Sequence, residues 1–532
     1  MESYDFRATA SYNNVFGEDH IVNLFGGMET NAVNREKTWF NGVGMQYEMG
    51  MLPSYDYLYF KQGNEENAGY YSVDRTRQRE VSFFGTGTYS YKGRYTLNGT
   101  VRYEGSNKLG KSRKARWLPT WNVSAAWNAH EEEFWQSFRD VVSNMTLKAS
   151  YSLTADRGPA SVSNSKAIIN SYNTWRPFTS VKESGLILSS VENSELTYEK
   201  KHELNIGAEI GFIDNRINIE ADWYTRNNFD LIGLIYTKGT GGQLAKFANV
   251  ASMKSSGVEF TVSTRNIKTK DFSWNTDFIF SHTKNEVTDL QSNASVMDMI
   301  SGNGFAMEGY PVRALFSMDF QGLNENGYPT FINEKGQLTV SDINFQEQLK
   351  KDHLVYEGPT DPTMTGSLGN IFRYKGFTLN AFITYSFGNV IRLDPVFHNV
   401  YSDLDAMPRE FINRWTTGGD EKVTNVPVIA DKRANQQDPY LSYAYNVYNY
   451  STERIAKGDF IRMKELSLSY NFPKKMISRL KVNDLSLKIQ ATNLFLIYSD
   501  KKLNGQDPEF FNTGGVASPV PRQFTLTLRL GI

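Results

Sequence analysis

Residues Gly105-Ser-Asn-Lys-Leu-Gly110-Lys111-Ser112 satisfy the letters of a phosphate-binding loop, G-x-x-x-x-G-K-[ST]. That chemistry needs a helix right after the motif, so that its N-terminus meets phosphate. The next residues in this chain, Arg113-Lys-Ala-Arg-Trp117-Leu-Pro119, read as a strand, which predicts a Gly/Lys-rich surface connection. His130-Glu131 lacks the second histidine of a zinc-peptidase helix, and the six histidines (20, 130, 202, 282, 353, 398) are scattered. Asn324-Glu-Asn-Gly327 resembles part of a calcium loop, but the later acidic ligand is missing, so it predicts a plain turn. Paired carboxylates can hydrolyse glycosides. Glu209, Glu220, Asp222 and Glu259, however, alternate with apolar residues along extended segments. That pattern predicts a hydrated wall, paired with arginines such as Arg373 and Arg462. With no Cys, thiolate metal sites, cysteine nucleophiles and disulfides are excluded. The expected catalytic, metal and cofactor sets are therefore all none, and the chain is not expected to be an enzyme.

Aromatic residues carry more. Trp39, Tyr55, Tyr57, Tyr59, Tyr172, Trp175 and the run Tyr440, Tyr443, Tyr445, Tyr448, Tyr450 fall in long connections rich in Asn and Asp. Aromatic faces beside such groups suit sugar rings or peptide side chains. The competing role is packing within the loops or against a partner. Trp39, Tyr172, Trp175, Tyr440 and Tyr443 are the candidate substrate contacts. Trp223, Trp274 and Tyr498 lie near strand ends and are assigned to an interfacial aromatic girdle.

The elements that position these residues have period two. Leu204, Ile206, Ala208, Ile210 and Phe212 alternate with Asn205, Gly207, Glu209 and Gly211. A turn at Asp214–Arg216 comes next, and then Ile217, Ile219, Ala221 and Trp223 alternate with Asn218, Glu220 and Asp222. This is a sheet with unlike faces. The unit recurs through the final Phe524-Thr-Leu-Thr-Leu-Arg-Leu-Gly-Ile532, giving about 15 strands. Phe 34, Tyr 30 and Trp 9 make the chain 14% aromatic, and mean hydropathy is −0.49. No run approaches the length of a transmembrane helix, but a membrane β-barrel needs none. Lys+Arg 57 against Asp+Glu 58 gives net charge −1, so no overall attraction to nucleic acid is expected.

Connections alternate in length. Short ones lie near 13–19, 92–94, 214–216, 267–271, 375–376 and 473–484, with a middle-length one, 128–144, that could hold a helical turn. Long ones run from about 32 to 78, 155 to 197, 229 to 253, 284 to 364 and 389 to 458, with shorter ones near 106–115 and 499–522. Short turns on one side and long loops on the other is the outer-membrane barrel pattern. Residues 1–14 alternate like a strand and carry no basic start or apolar core of a secretion signal. If long loops are outside, the first and last strands both run to the periplasm, which gives an odd count. Bacterial single-chain barrels have even counts, so an odd number of strands is expected to be missing from the N-terminal side.

The chain resembles the C-terminal barrel portion of SusC/RagA-type TonB-dependent transporters, outer-membrane importers typical of Bacteroidetes. Arg94-Tyr95 through Arg102-Tyr103-Glu104-Gly105-Ser106, Leu118-Pro119 and Ala125-Ala126-Trp127 are similar to "RY…R.DGS…FPS…AAW". Leu196-Thr-Tyr198-Glu199 with Asn205-Ile-Gly207, Asn215-Arg216 with Asp222-Trp-Tyr224, and Ser256-Gly257-Val-Glu259 come in the family's order. So do Gly358–Pro362, Tyr374-Lys-Gly-Phe377, Arg414-Trp415, Gly458–Lys464, Asn493-Leu-Phe495 and Asp507-Pro-Glu509. Glu104 stands where Asp is usual, Tyr198 where Trp is usual, and Ile532 where Phe is usual.

The resemblance implies an all-β fold, a transmembrane antiparallel β-barrel with about 15 strands present of roughly 22. It implies that residues 1–532 are the C-terminal part of such a barrel, with no plug domain in this chain. It also implies residence in the outer membrane and contact with its lipid. The implied function is import of a bulky nutrient, an oligosaccharide first and an oligopeptide second. The implied partners are a SusD-like surface lipoprotein and the TonB-ExbB-ExbD complex, the latter through a missing N-terminal region. Rival readings are a plugless porin or surface adhesin, and a soluble all-β glycan-binding or hydrolytic protein. A continuous apolar outer face on every strand opposes the last.

Overall fold

The computed structural model describes all residues except 41–44, 47–49, 51, 54–56, 66–70, 159–166, 174–182, 237–244, 292–293, 402–403, 405–406, 408, 479–481, 511–520 and 532. A 15-stranded antiparallel sheet dominates, and its strands succeed one another in chain order. They are β1 (Glu2–Phe16), β2 (His20–Phe40), β3 (Tyr71–Tyr91), β4 (Tyr95–Ser106) and β5 (Trp117–Asn128). Next come β6 (Val142–Asp156), β7 (Glu199–Phe212), β8 (Ile217–Tyr236), β9 (Ala245–Lys268) and β10 (Phe272–Leu290). The last are β11 (Met364–Tyr374), β12 (Phe377–Phe387), β13 (Phe460–Asn471), β14 (Asp484–Ser499) and β15 (Gln523–Gly531). The strand count and the alternation of short and long connections match the sequence reading.

The chain forms two compact units. One comprises Met1–Trp127, Lys148–Leu204 and Asn227–Ser252; the other comprises Asn128–Leu147, Asn205–Arg226 and Met253–Ile532. In each, the period-two pattern produces two unlike faces. In the second unit Phe524, Leu526, Leu528 and Leu530 stand opposite Ala491, Ile489, Leu487 and Leu485. Those four β15 side chains are 49–72% exposed, a surface that water would not tolerate and lipid does. In the first unit the other face carries a ladder of polar pairs. Thr86 and Thr100 hydroxyls lie 3.1 Å apart, Asn98 Nδ2 donates to Thr88 Oγ1 at 2.6 Å, and Thr96 Oγ1 donates to Ser90 Oγ at 3.1 Å. Cross-strand pairing of like with like is what fixes register here.

The tight turns use left-handed backbone. Lys92 and Gly93 have φ of 52° and 69°, the sign a two-residue hairpin turn needs to match strand twist. The middle-length connection holds two short 3-10 turns, Ala129–Glu131 and Glu133–Ser137, pinned where Trp135 Nε1 donates to the Val142 carbonyl at 2.9 Å.

Two expected loops are shortened by strand. β2 continues to Phe40 and β3 begins at Tyr71, and only 237–244 separates β8 from β9. A tilted strand crosses a bilayer in about 9–11 residues, so these strands run well past the apolar band. Their outer ends lose the contrast between faces, by charge on both along 75–80 and by apolar residues on both along 231–236, while the backbone ladder continues.

The two longest connections are also not irregular. In the second unit, Val296, Ile300, Met318, Phe331, Phe397, Phe411, Val447 and Tyr448 close a core drawn from segments 296–331 and 397–448. Small sheets brace it, pairing Ala314–Met318 with Leu354–Pro359 and Val390–Arg392 with Ile455–Lys457. His353 lies within this layer, with both ring nitrogens buried and unpartnered among the described residues. Burial pushes its imidazole below the ordinary 6.5, against the pull of Glu334, Asp352 and Glu347. The folded layer therefore binds fewer protons than the unfolded chain, and it loses stability as pH falls below the unfolded value. Hydrogen-exchange protection factors over 294–363, with exchange corrected for its intrinsic pH dependence, should fall between pH 7 and pH 5, and His353→Gln should flatten that response.

Candidate functional site

Helix α1 (Leu441–Asn449) sorts the tyrosine run by helical spacing. Leu441, Ala444, Tyr445, Val447 and Tyr448 are buried. Tyr445 Oη donates to the Val428 carbonyl at 2.6 Å and accepts from Ala430 N at 3.1 Å. Burial drives both the Tyr445 and Tyr448 phenols well above the ordinary range. These two are core residues, which gives them the packing role that is the alternative to substrate contact. Tyr440 and Tyr443 face outward, 60% and 48% exposed, with ring centroids 5.9 Å apart and planes 19° from parallel. Tyr440 N is fixed by Asp438 Oδ1 at 2.9 Å. The result is a two-ring platform on a rigid base, the geometry that stacks on a pyranose or an apolar side chain.

Trp39 lies near the end of β2, opposite Ser72 of β3, and is 49% exposed. It belongs to the first unit, whereas Tyr440 and Tyr443 belong to the second. Tyr172 belongs to strand Ile168–Asn173, but its side chain lies outside the described residues, as do Trp175, Tyr55 and the side chain of Tyr59.

A recess that the sequence reading missed occupies the first unit. It has a volume of about 360 Å³, and Arg7, Glu29, Glu80, Arg102, Glu104 and Tyr198 line it. Arg102 Nη2 donates to Glu29 at 2.5 Å and Arg102 Nε to Glu104 at 2.8 Å, while Arg157 pairs with Glu80. Its signal was the Arg102-x-Glu104 spacing, which puts both groups on one face of a strand.

The phosphate-loop letters are occupied otherwise. A one-turn helix, Arg113–Arg116, stands where a strand was expected, because Ser112 caps it by accepting from Ala115 N at 3.1 Å. Lys111 pairs with Glu192 at 2.8 Å. Gly110 donates to the Leu196 carbonyl at 2.9 Å, and a Cβ there would stand 2.0 Å from the Ser194 carbonyl oxygen. That close approach is why the glycine is needed.

Arg462 does not pair with the strand carboxylates as expected. Buried at the start of β13, it holds Asp507 at 2.5 Å and Glu509 at 2.9 Å, so two motif segments from the sequence meet in one ion cluster. Arg373 lies opposite Ser273 and Thr378. Two further buried cations brace the loop layer. Arg454 pairs with Glu410 at 2.6 Å, and Arg392 donates to the Phe316 and Ser451 carbonyls at 2.6 and 3.0 Å. Burial pulls Arg392 down to about 10.

Another motif pair explains itself. The Tyr224 ring lies over Gly257, where a Cβ would meet its Oη at 2.5 Å, and that hydroxyl reaches Thr283 Oγ1 at 2.8 Å. A glycine on one strand makes room for the aromatic ring of its neighbour.

Comparison with known proteins places this architecture. A model of the TonB dependent receptor-like β-barrel family matches residues 2–402. The chain belongs to that family, whose members are outer-membrane β-barrels. It is 24% identical over 520 residues to TonB-dependent receptor P3 of Formosa agariphila, covering 94% of this chain and 48% of the relative. It is 26% identical over 479 residues to TonB-dependent receptor SusC of Bacteroides thetaiotaomicron, covering 86% and 44%. Among solved structures, the RagAB peptide transporter superposes with a TM-score of 0.77 at 20% identity, over 99% of this chain and 55% of that one. The chain spans about half the length of the curated relatives it matches. The family also bears out the expected all-β membrane fold of the SusC/RagA type.

Proposed function

We propose that the chain is the C-terminal barrel part of a TonB-dependent importer that brings a bulky nutrient across the outer membrane. One observation carries this reading. The fifteen-strand sheet has an apolar face and a hydroxyl- and charge-lined face, and alternate connections are long and folded into a packed layer. A lipid-facing wall around a polar route, capped by ordered loops, suits passage of a large polar solute. Support for the class comes from relatives described as TonB-dependent receptors.

The solute is an oligosaccharide, with oligopeptide as the second reading because a structural neighbour is a peptide transporter. The barrel does no covalent chemistry. A SusD-like lipoprotein covers the loop side, and TonB with ExbB and ExbD supplies energy through a region outside residues 1–532. Trp39, Tyr172, Trp175, Tyr440 and Tyr443 contact the solute.

The Tyr440–Tyr443 platform gives the test. Tyr440→Ala/Tyr443→Ala should weaken solute uptake about tenfold, since each stacked ring contributes about 0.5–1.5 kcal/mol, with the melting midpoint unchanged. Tyr445→Ala, by contrast, should destabilise the loop layer by about 3–5 kcal/mol. Uptake of labelled oligosaccharides and peptides by cells carrying each variant, beside thermal unfolding of the purified proteins, separates the two roles. Full uptake of both solute classes by the double variant would remove the platform from the site.

A further inference from the structure

We propose that the outer end of β3 carries a docking site for the phosphate-bearing headgroup of an outer-leaflet lipid. The proposal is independent of which solute is carried.

Register places the site. β2 and β3 pair from His20↔Tyr91 all the way to Phe40↔Tyr71. β4 meets β3 no further out than Glu80↔Ser106. Among the described residues, 35–40 and 71–79 therefore pair as a two-stranded ribbon whose β3 side runs beyond β4. One face of that ribbon continues the membrane-facing side. By period two, Arg75, Arg77 and Arg79 share a face with Val81, Phe83 and Tyr89. Phe83 and Tyr89 are exposed, as are Val101 and Leu97 beside them on β4. The apolar column from Val81 to Tyr91 runs about 33 Å along the strand, which a barrel tilt reduces to about 25 Å, the height of an apolar band. Arg79 and Arg77 are then the first side chains above hydrocarbon, about 7 Å apart along the strand.

The column's charge is largely uncompensated. Arg75 pairs with Glu36 at 2.8 Å. Arg79 Nη1 and Nη2 donate only to neutral oxygens, among them Val33 O at 3.2 Å and Asn34 Oδ1 at 2.7 Å. Arg77 makes no side-chain hydrogen bond or ion pair to a described residue, and all three arginines are exposed. The adjoining connection adds cations. Asn107 accepts from Arg79 N at 2.9 Å and donates to the Arg77 carbonyl at 3.0 Å, tying the loop to the column. That loop carries Lys108, Lys111, Arg113, Lys114 and Arg116 with no acidic residue from 107 to 116. Lys111 of that loop is held by Glu192 at 2.8 Å, whereas Arg113 and Lys114 are exposed.

Guanidinium forks match phosphate geometry. Continuity chooses the source. A cationic column directly above an exposed apolar column fits one molecule with both an anionic head and acyl chains, which a soluble anion is not.

The test uses the protein extracted from its outer membrane, stripped of lipid, and reconstituted in phosphatidylcholine containing phosphatidylglycerol as anionic probe. Bound lipid is read by native mass spectrometry. Wild type should enrich phosphatidylglycerol. Arg75→Gln/Arg77→Gln/Arg79→Gln should lower that preference about 100-fold, from the usual contribution of each cation near an anionic surface. Arg35→Gln/Lys37→Gln, on the opposite ribbon face, should keep it. If the triple variant loses heat-modifiable mobility and is misfolded, Arg77→Gln alone should still give about a fivefold drop. Undiminished enrichment in a folded triple variant or in Arg77→Gln would overturn the site. Displacement of the lipid by millimolar inorganic phosphate, or by soluble polygalacturonate, would overturn the lipid assignment.

Discussion

Replacing Arg462 with methionine should destabilise the protein by about 3–5 kcal/mol, because it leaves the Asp507 carboxylate without its counter-ion in a site only 10% exposed. The methionine replaces the volume and stem of the arginine, so the loss isolates the charge. Glu509, more exposed at 37%, would keep part of its hydration. Removing Asp507 as well, in Arg462→Met/Asp507→Asn, should recover part of the loss, since the more deeply buried carboxylate is then gone and only the more exposed Glu509 lacks its partner. Thermal unfolding in detergent, monitored by heat-modifiable gel mobility, reads both variants. Equal stability of the single and double variants would show that the pair is screened and unimportant.

The second large effect is expected at Gly366. A Cβ on this β11 residue would lie 2.1 Å from the Ile279 carbonyl oxygen and 2.3 Å from Tyr385 Oη. The tyrosine ring can rotate away, but the carbonyl belongs to the β10 backbone and cannot move without shifting the strand. Tyr385 Oη also donates to that carbonyl at 2.9 Å, so displacing the ring leaves the hydroxyl unpaired. Gly366→Val should cost at least about 3 kcal/mol and reduce the amount of folded protein in the membrane. Gly85→Val makes a contrasting control, since the nearest atom to a Cβ there is 3.9 Å away. Quantifying the heat-modifiable band in outer-membrane fractions compares them. Similar yields for both would mean that the sheet yields at β10.

These residues show what a single sequence exposes. Period two was readable wherever one face meets lipid and the other a polar surface, as in Leu204–Phe212 or Phe524–Leu530. It failed at the outer ends of β2, β3, β8 and β9, where the two faces are alike, charged along 75–80 and apolar along 231–236, and the ladder continues unseen. The packed loop layer was not readable either. Its core draws Val296, Phe331, Phe397 and Tyr448 from two connections about a hundred residues apart, and no local pattern encodes that meeting. Tyr445 and Tyr448 were grouped with Tyr440 and Tyr443 because an alternation of tyrosines looks alike in any conformation. Only the helical spacing of Leu441–Asn449 divides buried from exposed. The Arg102–Glu104 recess hid for another reason. Its counter-ion Glu29 comes from β2, so the cluster exists only across strands. Arg462, Asp507 and Glu509 were legible as motif letters, whereas their function as one ion cluster required the fold.

Energised import is the central claim, and uptake measures it most directly. A strain lacking this gene, and the same strain complemented with it, would be given labelled oligosaccharides too large for general porins, and separately labelled oligopeptides of similar size, with and without a protonophore. The account predicts that complemented cells accumulate one of these solute classes, that the deletion strain does not, and that the protonophore abolishes accumulation. Equal accumulation with and without the protonophore would contradict it and point to a passive pore, and no gene-dependent uptake of either class would contradict import altogether.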